Sequence, residues 1–73
     1  MDDDDQRIIG RVANFHRPYL ILAGEGAYRR VMGWSDTCQV AVRIAARQQG
    51  QRTRIYRRVR GEYRLWLPRE VTR

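Results

Sequence analysis

Arg54, Tyr56, Arg58 and Arg60 alternate along one short segment, and Arg64 and Trp66 continue with the same spacing beyond Gly61. Side chains two apart on an extended strand share a face. The spacing therefore predicts one surface on which guanidinium groups lie between aromatic rings. Such a surface recognises anions: the arginine fork matches phosphate and carboxylate oxygens, and ring faces stack bases or other guanidiniums. Arg57 falls on the opposite face with Ile55 and Val59, which places it at a sheet edge. Arg43 and Arg47, four apart, are neighbours on a helix surface together with Val40.

Residues 43–73 carry ten arginines against Glu62 and Glu70, and the whole chain of 73 residues has a net charge of +7 with no lysine. A GC-rich coding sequence would also favour arginine, so the clustering is more informative than the choice of cation. Like charges facing one another across strands destabilise a sheet by a few tenths of a kcal/mol each unless something neutralises them. The plainer account is a solvated face whose arginine stems cover the aromatics. The accumulated repulsion favours a ligand.

Other chemistry is thin. His16 has no cysteine or second histidine near it in sequence, which makes it a surface residue rather than a metal ligand. Cys38 is the only cysteine, so neither an internal disulfide nor a cysteine-based zinc site can form. Near a helix start its thiol could be activated, but a small buried hydrophobe is the commoner role. Gly24-Glu25-Gly26 lacks the spacing and following lysine of a phosphate loop and reads as a turn. No catalytic set, cofactor site or metal site is expected. Arg54 to Val59 does not fit an RNA-recognition-motif signature, and the KH loop and zinc-finger spacing are missing from the sequence. A helix-turn-helix would require a second convincing helix, and a β-ribbon reader is geometrically allowed without a specific motif.

These residues need elements to hold them. Ser35 or Asp36 is placed to cap a helix running to about Gln49, with Asp36 and Gln39 at capping-box spacing and Gly50 as terminator. Trp34 then staples the first turn. Arg52 to Val59 alternates as a strand, Arg60-Gly61-Glu62 turns, and Tyr63 to Leu67 returns, stopped by Pro68. Upstream, Arg7 to Phe15 is expected as a strand, with Ile9, Arg11, Ala13 and Phe15 on one face. His16-Arg17-Pro18 breaks pairing. Tyr19 to Ala23 reads as a buried strand and Ala27 to Met32 as another. Residues 1–6, with Asp2 to Asp5, are expected as a disordered acidic tail. Residues 7–68 form one α+β domain: a small antiparallel sheet with one helix packed on it and a C-terminal β-hairpin. Residues 69–73 are expected as a flexible basic tail. The acidic start is the opposite of a signal peptide, and no apolar run reaches the roughly 20 residues of a membrane span, so a cytoplasmic protein is expected.

A small lone α+β domain, a charged flexible end, no catalytic set and a dense charged face are together similar to small phage-encoded proteins that take over host machines. The likeness spans the whole chain and is one of size, charge and layout. Within that group the chain most resembles regulators of host RNA polymerase. The resemblance implies a monomeric, non-enzymatic protein in the host bacterial cytoplasm that inhibits initiation or suppresses termination. Its arginines, Arg54, Arg57, Arg58, Arg60 and Arg64 with Arg43 and Arg47, would meet acidic protein, or nucleic acid nearby. A stand-alone DNA- or RNA-binding domain is the alternative. A basic inhibitor of a CRISPR complex is a further one, although the acidic, DNA-mimicking kind is a poor match for this charge.

Overall fold

The computed structural model describes residues 3–12, 17–48 and 52–67, the last of them by its backbone alone. In chain order they form helix α1 (Asp3–Arg11), strand β1 (Tyr19–Ala23), a 3-10 turn (Gly26–Tyr28), strand β2 (Arg30–Ser35), helix α2 (Cys38–Ala46) and strands β3 (Arg54–Val59) and β4 (Glu62–Leu67). The strands build one antiparallel sheet in the order β2-β1-β3-β4. The α+β class and the C-terminal hairpin are as expected. The sheet, however, has a helix on each face.

The second helix is the largest departure from expectation. Asp3 to Arg11 is helical, so the strand expected from Arg7 onward is absent up to Arg11, and Asp3 to Gln6 belong to an ordered element. The rest of that expected strand, with His16, lies outside the described residues. The physical reason is a helical period. Asp5, Ile8, Ile9 and Val12 follow the i, i+3, i+4, i+7 rule and present one stripe to the sheet. Asp3, Asp4 and Asp5 lie in the first turn and Arg11 in the last, each sign at the helix end whose dipole favours it. Arg7 also pairs with Asp4 three residues back.

β1 is the hub of the molecule: Leu20, Ile21, Leu22 and Ala23 are all completely buried. Leu20 and Leu22 face α1 and pack with Tyr56, Tyr63, Ile8, Ile9 and Val12. Ile21 faces α2 and packs with Ala41, Ile44, Ala45, Ile55 and Trp66. A strand covered on both faces reads as a continuous apolar run, which is how Tyr19 to Ala23 reads in the sequence.

α2 begins later than expected. Its cap is Thr37, whose hydroxyl accepts from the Val40 amide at 3.3 Å. Ser35 ends β2 instead, buried, with its hydroxyl donating to the Thr37 carbonyl at 2.8 Å. Asp36 turns outward to Arg17 at 2.6 Å. Trp34 lies in β2 and packs on the α1 side of the sheet rather than stapling α2. Gln49 and Gly50 lie outside the described residues.

Two backbone positions fix local geometry. Gly24 has φ +105, and a Cβ there would collide with the Tyr28 carbonyl oxygen, so only glycine allows the turn after β1. The hairpin turns through Arg60 at φ 52 and Gly61 at φ 82. Two left-handed residues in succession match the right-handed twist of the flanking strands.

Candidate anion-binding surface

The sheet divides the expected binding residues between its two faces, because each strand alternates and each face has its own helix. Tyr56 is not on a surface at all. It is completely buried beneath α1, and its hydroxyl donates to the Asp5 carboxylate. Arg54 follows it inward and lies 3.4 Å from the same carboxylate. Both residues were expected on the exposed arginine face, and both instead help dock α1. Asp5 accounts for this: a buried carboxylate needs donors and positive charge around it.

Arg29 completes the cluster. Its Nε donates to Asp5 Oδ1 at 2.7 Å and one terminal nitrogen donates to Oδ2 at 3.2 Å. The other terminal nitrogen donates to the Gly24 carbonyl at 3.0 Å and to the Arg52 carbonyl. Burial pushes the Asp5 carboxyl up, but the hydrogen bonds from Arg29 and Tyr56 and the charges of Arg29 and Arg54 outweigh it. They hold the group below its ordinary 3.8. Burial and the bond to Asp5 push Tyr56 up to about 12. Sequence reasoning missed the pairing of Asp5 with Arg29. The signal that existed was the position of Asp5 on the same helical stripe as Ile8, Ile9 and Val12.

Arg58 also lies on the α1 side of the hairpin. Its guanidinium carbon sits 6.0 Å from the centre of the Tyr63 ring, and its backbone amide donates to the Pro18 carbonyl at 2.7 Å. Burial pushes Tyr63 up, partly offset by the charge of Arg58. The Tyr63 hydroxyl donates to the Arg17 carbonyl at 2.7 Å, which ties the hairpin to the segment entering β1.

On the α2 side of the sheet two arginines stay exposed beside partly buried rings. Arg57 of β3 stands directly opposite Arg64 of β4, and Tyr19 of β1 stands directly opposite Arg57 on its other side. Both arginines are exposed. Among the described residues Arg57 has no ion pair, and Arg64 approaches only Glu62, at 3.7 Å with both side chains largely in water. A pair that exposed contributes little. A bulge in the β3–β4 pairing lies next to Trp66, which packs with Tyr19 at a centroid distance of 5.3 Å and an interplanar angle of 60°. Trp66 and Arg64 therefore share a surface, as the sequence predicts, but with Arg57 and Tyr19 rather than with Arg54, Tyr56 and Arg58. Tyr19 was missed because its ring joins this group only through the sheet order.

Arg60 sits at the hairpin tip, exposed. Arg43 is exposed on α2, on the flank that also carries Val40, and Arg47 is its exposed C-cap. The surface that remains is thus the cross-strand pair Arg57 and Arg64 beside Tyr19 and Trp66, with Arg60 beyond it. No group of His, Cys, Asp or Glu among the described residues is arranged to hold a metal ion, and no helix among them is long and apolar enough to cross a membrane.

Comparison with known proteins finds no matching family model, no similar curated protein and no similar solved structure.

Proposed function

We propose that this chain is a non-enzymatic docking protein that uses its hairpin arginines to bind an anionic surface on a larger assembly. The observation that carries this reading is the Arg57–Arg64 pair. Two guanidinium groups directly opposite one another on exposed strands repel, and a negatively charged partner turns that cost into attraction. Arg60 supports the reading. A non-glycine residue in the left-handed region is strained, and strain of this kind is often retained at functional sites.

The target we propose is bacterial RNA polymerase, with inhibition of initiation or suppression of termination as the outcome. This part rests on the resemblance in size, charge and layout to phage-encoded polymerase regulators. Polymerase offers acidic protein surface beside nucleic-acid channels, and a docked protein meets nearby nucleic acid at raised effective concentration.

The test is recovery of partners from bacterial lysate on the tagged chain, with and without nuclease treatment, identified by mass spectrometry, against Arg57→Glu combined with Arg64→Glu. Polymerase subunits recovered with the parent chain and absent with the variant support the proposal. Recovery of other proteins that depend on the same two arginines rejects polymerase and keeps a docking protein. Identical recovery with parent and variant rejects the docking surface.

A further inference from the structure

We infer that the part of the α2-side sheet face formed by Tyr19, Trp66, Arg57 and Arg64 binds single-stranded nucleic acid, its rings taking a base and its guanidiniums the adjoining phosphates. This deepens the docking reading and rests on it. Four observations combine. Tyr19, Arg57 and Arg64 form one row across three adjacent strands. Trp66 lies in contact with Tyr19. Both rings are only partly buried and lie at the margin of the core under α2. Among the described residues Arg57 is not neutralised and Arg64 has only the exposed Glu62 nearby.

The mixture of groups selects the ligand. A single strand presents a phosphate and an unstacked base at every nucleotide, so it answers rings and cations on the same surface. An acidic polypeptide answers only the cations and makes no use of the partly exposed rings beside them. A duplex keeps its bases stacked inside and offers phosphates alone to a flat sheet face.

The test uses the whole chain with a fluorescein-labelled strand of about 12 nucleotides, a length within single-strand site sizes. Its ribose form, its duplex and polyglutamate are run in parallel. Anisotropy at low salt reads affinity. Tryptophan emission in a Trp34→Phe background reads contact at Trp66. The expected results are tighter binding of either single strand than of the duplex, and quenching of Trp66. Arg57→Gln with Arg64→Gln should lower affinity at least about tenfold and reduce the slope of log K against log salt by about 1.4, at about 0.7 for each single-strand phosphate that is no longer neutralised. Tyr19→Leu keeps an apolar side chain at the core margin and should weaken single-strand binding while leaving the salt slope unchanged.

Duplex bound as tightly as single strand, an unquenched Trp66, or an unchanged salt slope in the double arginine variant each overturns the inference. If polyglutamate binds through Arg57 and Arg64 while the strands do not, the single-strand inference fails and the docking reading stands. If no anion depends on those arginines and the lysate partners are also unchanged, both fail.

Discussion

Asp5 and Arg29 lie 24 positions apart in the chain and meet where neither is exposed, with the Arg29 Nε 2.7 Å from Asp5 Oδ1 and a second contact at 3.2 Å. Among the described residues Asp5 has three donor residues, Arg29, Tyr56 and Arg54. Arg29 directs its other terminal nitrogen to the carbonyls of Gly24 and Arg52. One ionic contact thus joins α1, the 3-10 turn and the approach to β3. It makes the acidic N-terminal segment part of the fold.

Removing one member of a buried pair leaves the other charge unmatched, at about 3–5 kcal/mol. Asp5→Ala is expected to cost that much in urea unfolding, a large share of the stability of a domain this small. Asp5→Ala combined with Arg29→Met should recover part of the loss, because no unpaired charge remains. Asp3→Asn, on the exposed side of the same turn, should change stability by about 0.5 kcal/mol or less. Equal effects at Asp5 and Asp3 would refute the docked helix.

The same carboxylate sets an acid limit. Because Asp5 titrates below 3.8 when folded, the unfolded chain binds more protons than the native one between the two values, and stability rises with pH there. Its contribution is present above the unfolded value and lost as pH falls through the folded one. At the alkaline end Tyr56 is raised from 10.0 to about 12. The native state holds a proton that the unfolded chain has released, and stability falls across that window. Unfolding free energy measured against pH should show both slopes, with Asp5→Asn flattening the acid one and Tyr56→Phe the alkaline one.

Two glycines give opposite expectations for the same substitution. Gly10 is exposed in α1 and has nothing within 4 Å of where a Cβ would sit. Gly10→Ala should therefore stabilise by about 0.5–1 kcal/mol through helix propensity. Gly24→Ala adds a Cβ against the Tyr28 carbonyl at φ +105 and should destabilise by about 1–3 kcal/mol or more. Thermal melts of the two variants should move in opposite directions. A melt raised by Gly24→Ala would show that the turn after β1 differs from that described.

Arg60 is placed where asparagine followed by glycine is the preferred hairpin turn. Arg60→Asn should raise stability by up to about 1 kcal/mol, since asparagine tolerates the left-handed region better. It should also weaken binding of the anionic partner by removing a charge at the tip. A rise in stability with no loss of binding would remove Arg60 from the docking surface. A fall in stability would place the strain elsewhere.

Much of the sheet was legible from local pattern. Tyr19 to Ala23 is apolar at every position, Arg54 to Val59 and Tyr63 to Leu67 alternate, and Arg60-Gly61 turns where glycine and the break in alternation place it. α2 was legible as a helix but not at its start, because Ser35, Asp36 and Thr37 can all cap and only the end of β2 at Ser35 selects Thr37. α1 was misread because an alternation from Ile9 to Phe15 suggested a strand, while the helical stripe starts inside the aspartate run.

Composition and spacing by themselves determined that this is a small, strongly basic α+β chain with its arginines concentrated around a closing hairpin. Strand period alone also determined which arginines of one strand share a side. The tertiary structure decided which side is covered, and by what. Tyr56 and Arg54 turn inward because α1 brings a carboxylate to them, whereas Arg57 and Arg64 stay in water beyond the reach of α2. The reason is that burial and ion pairing depend on contacts between residues far apart in the chain, and strand alternation specifies two faces without specifying the helix that closes each.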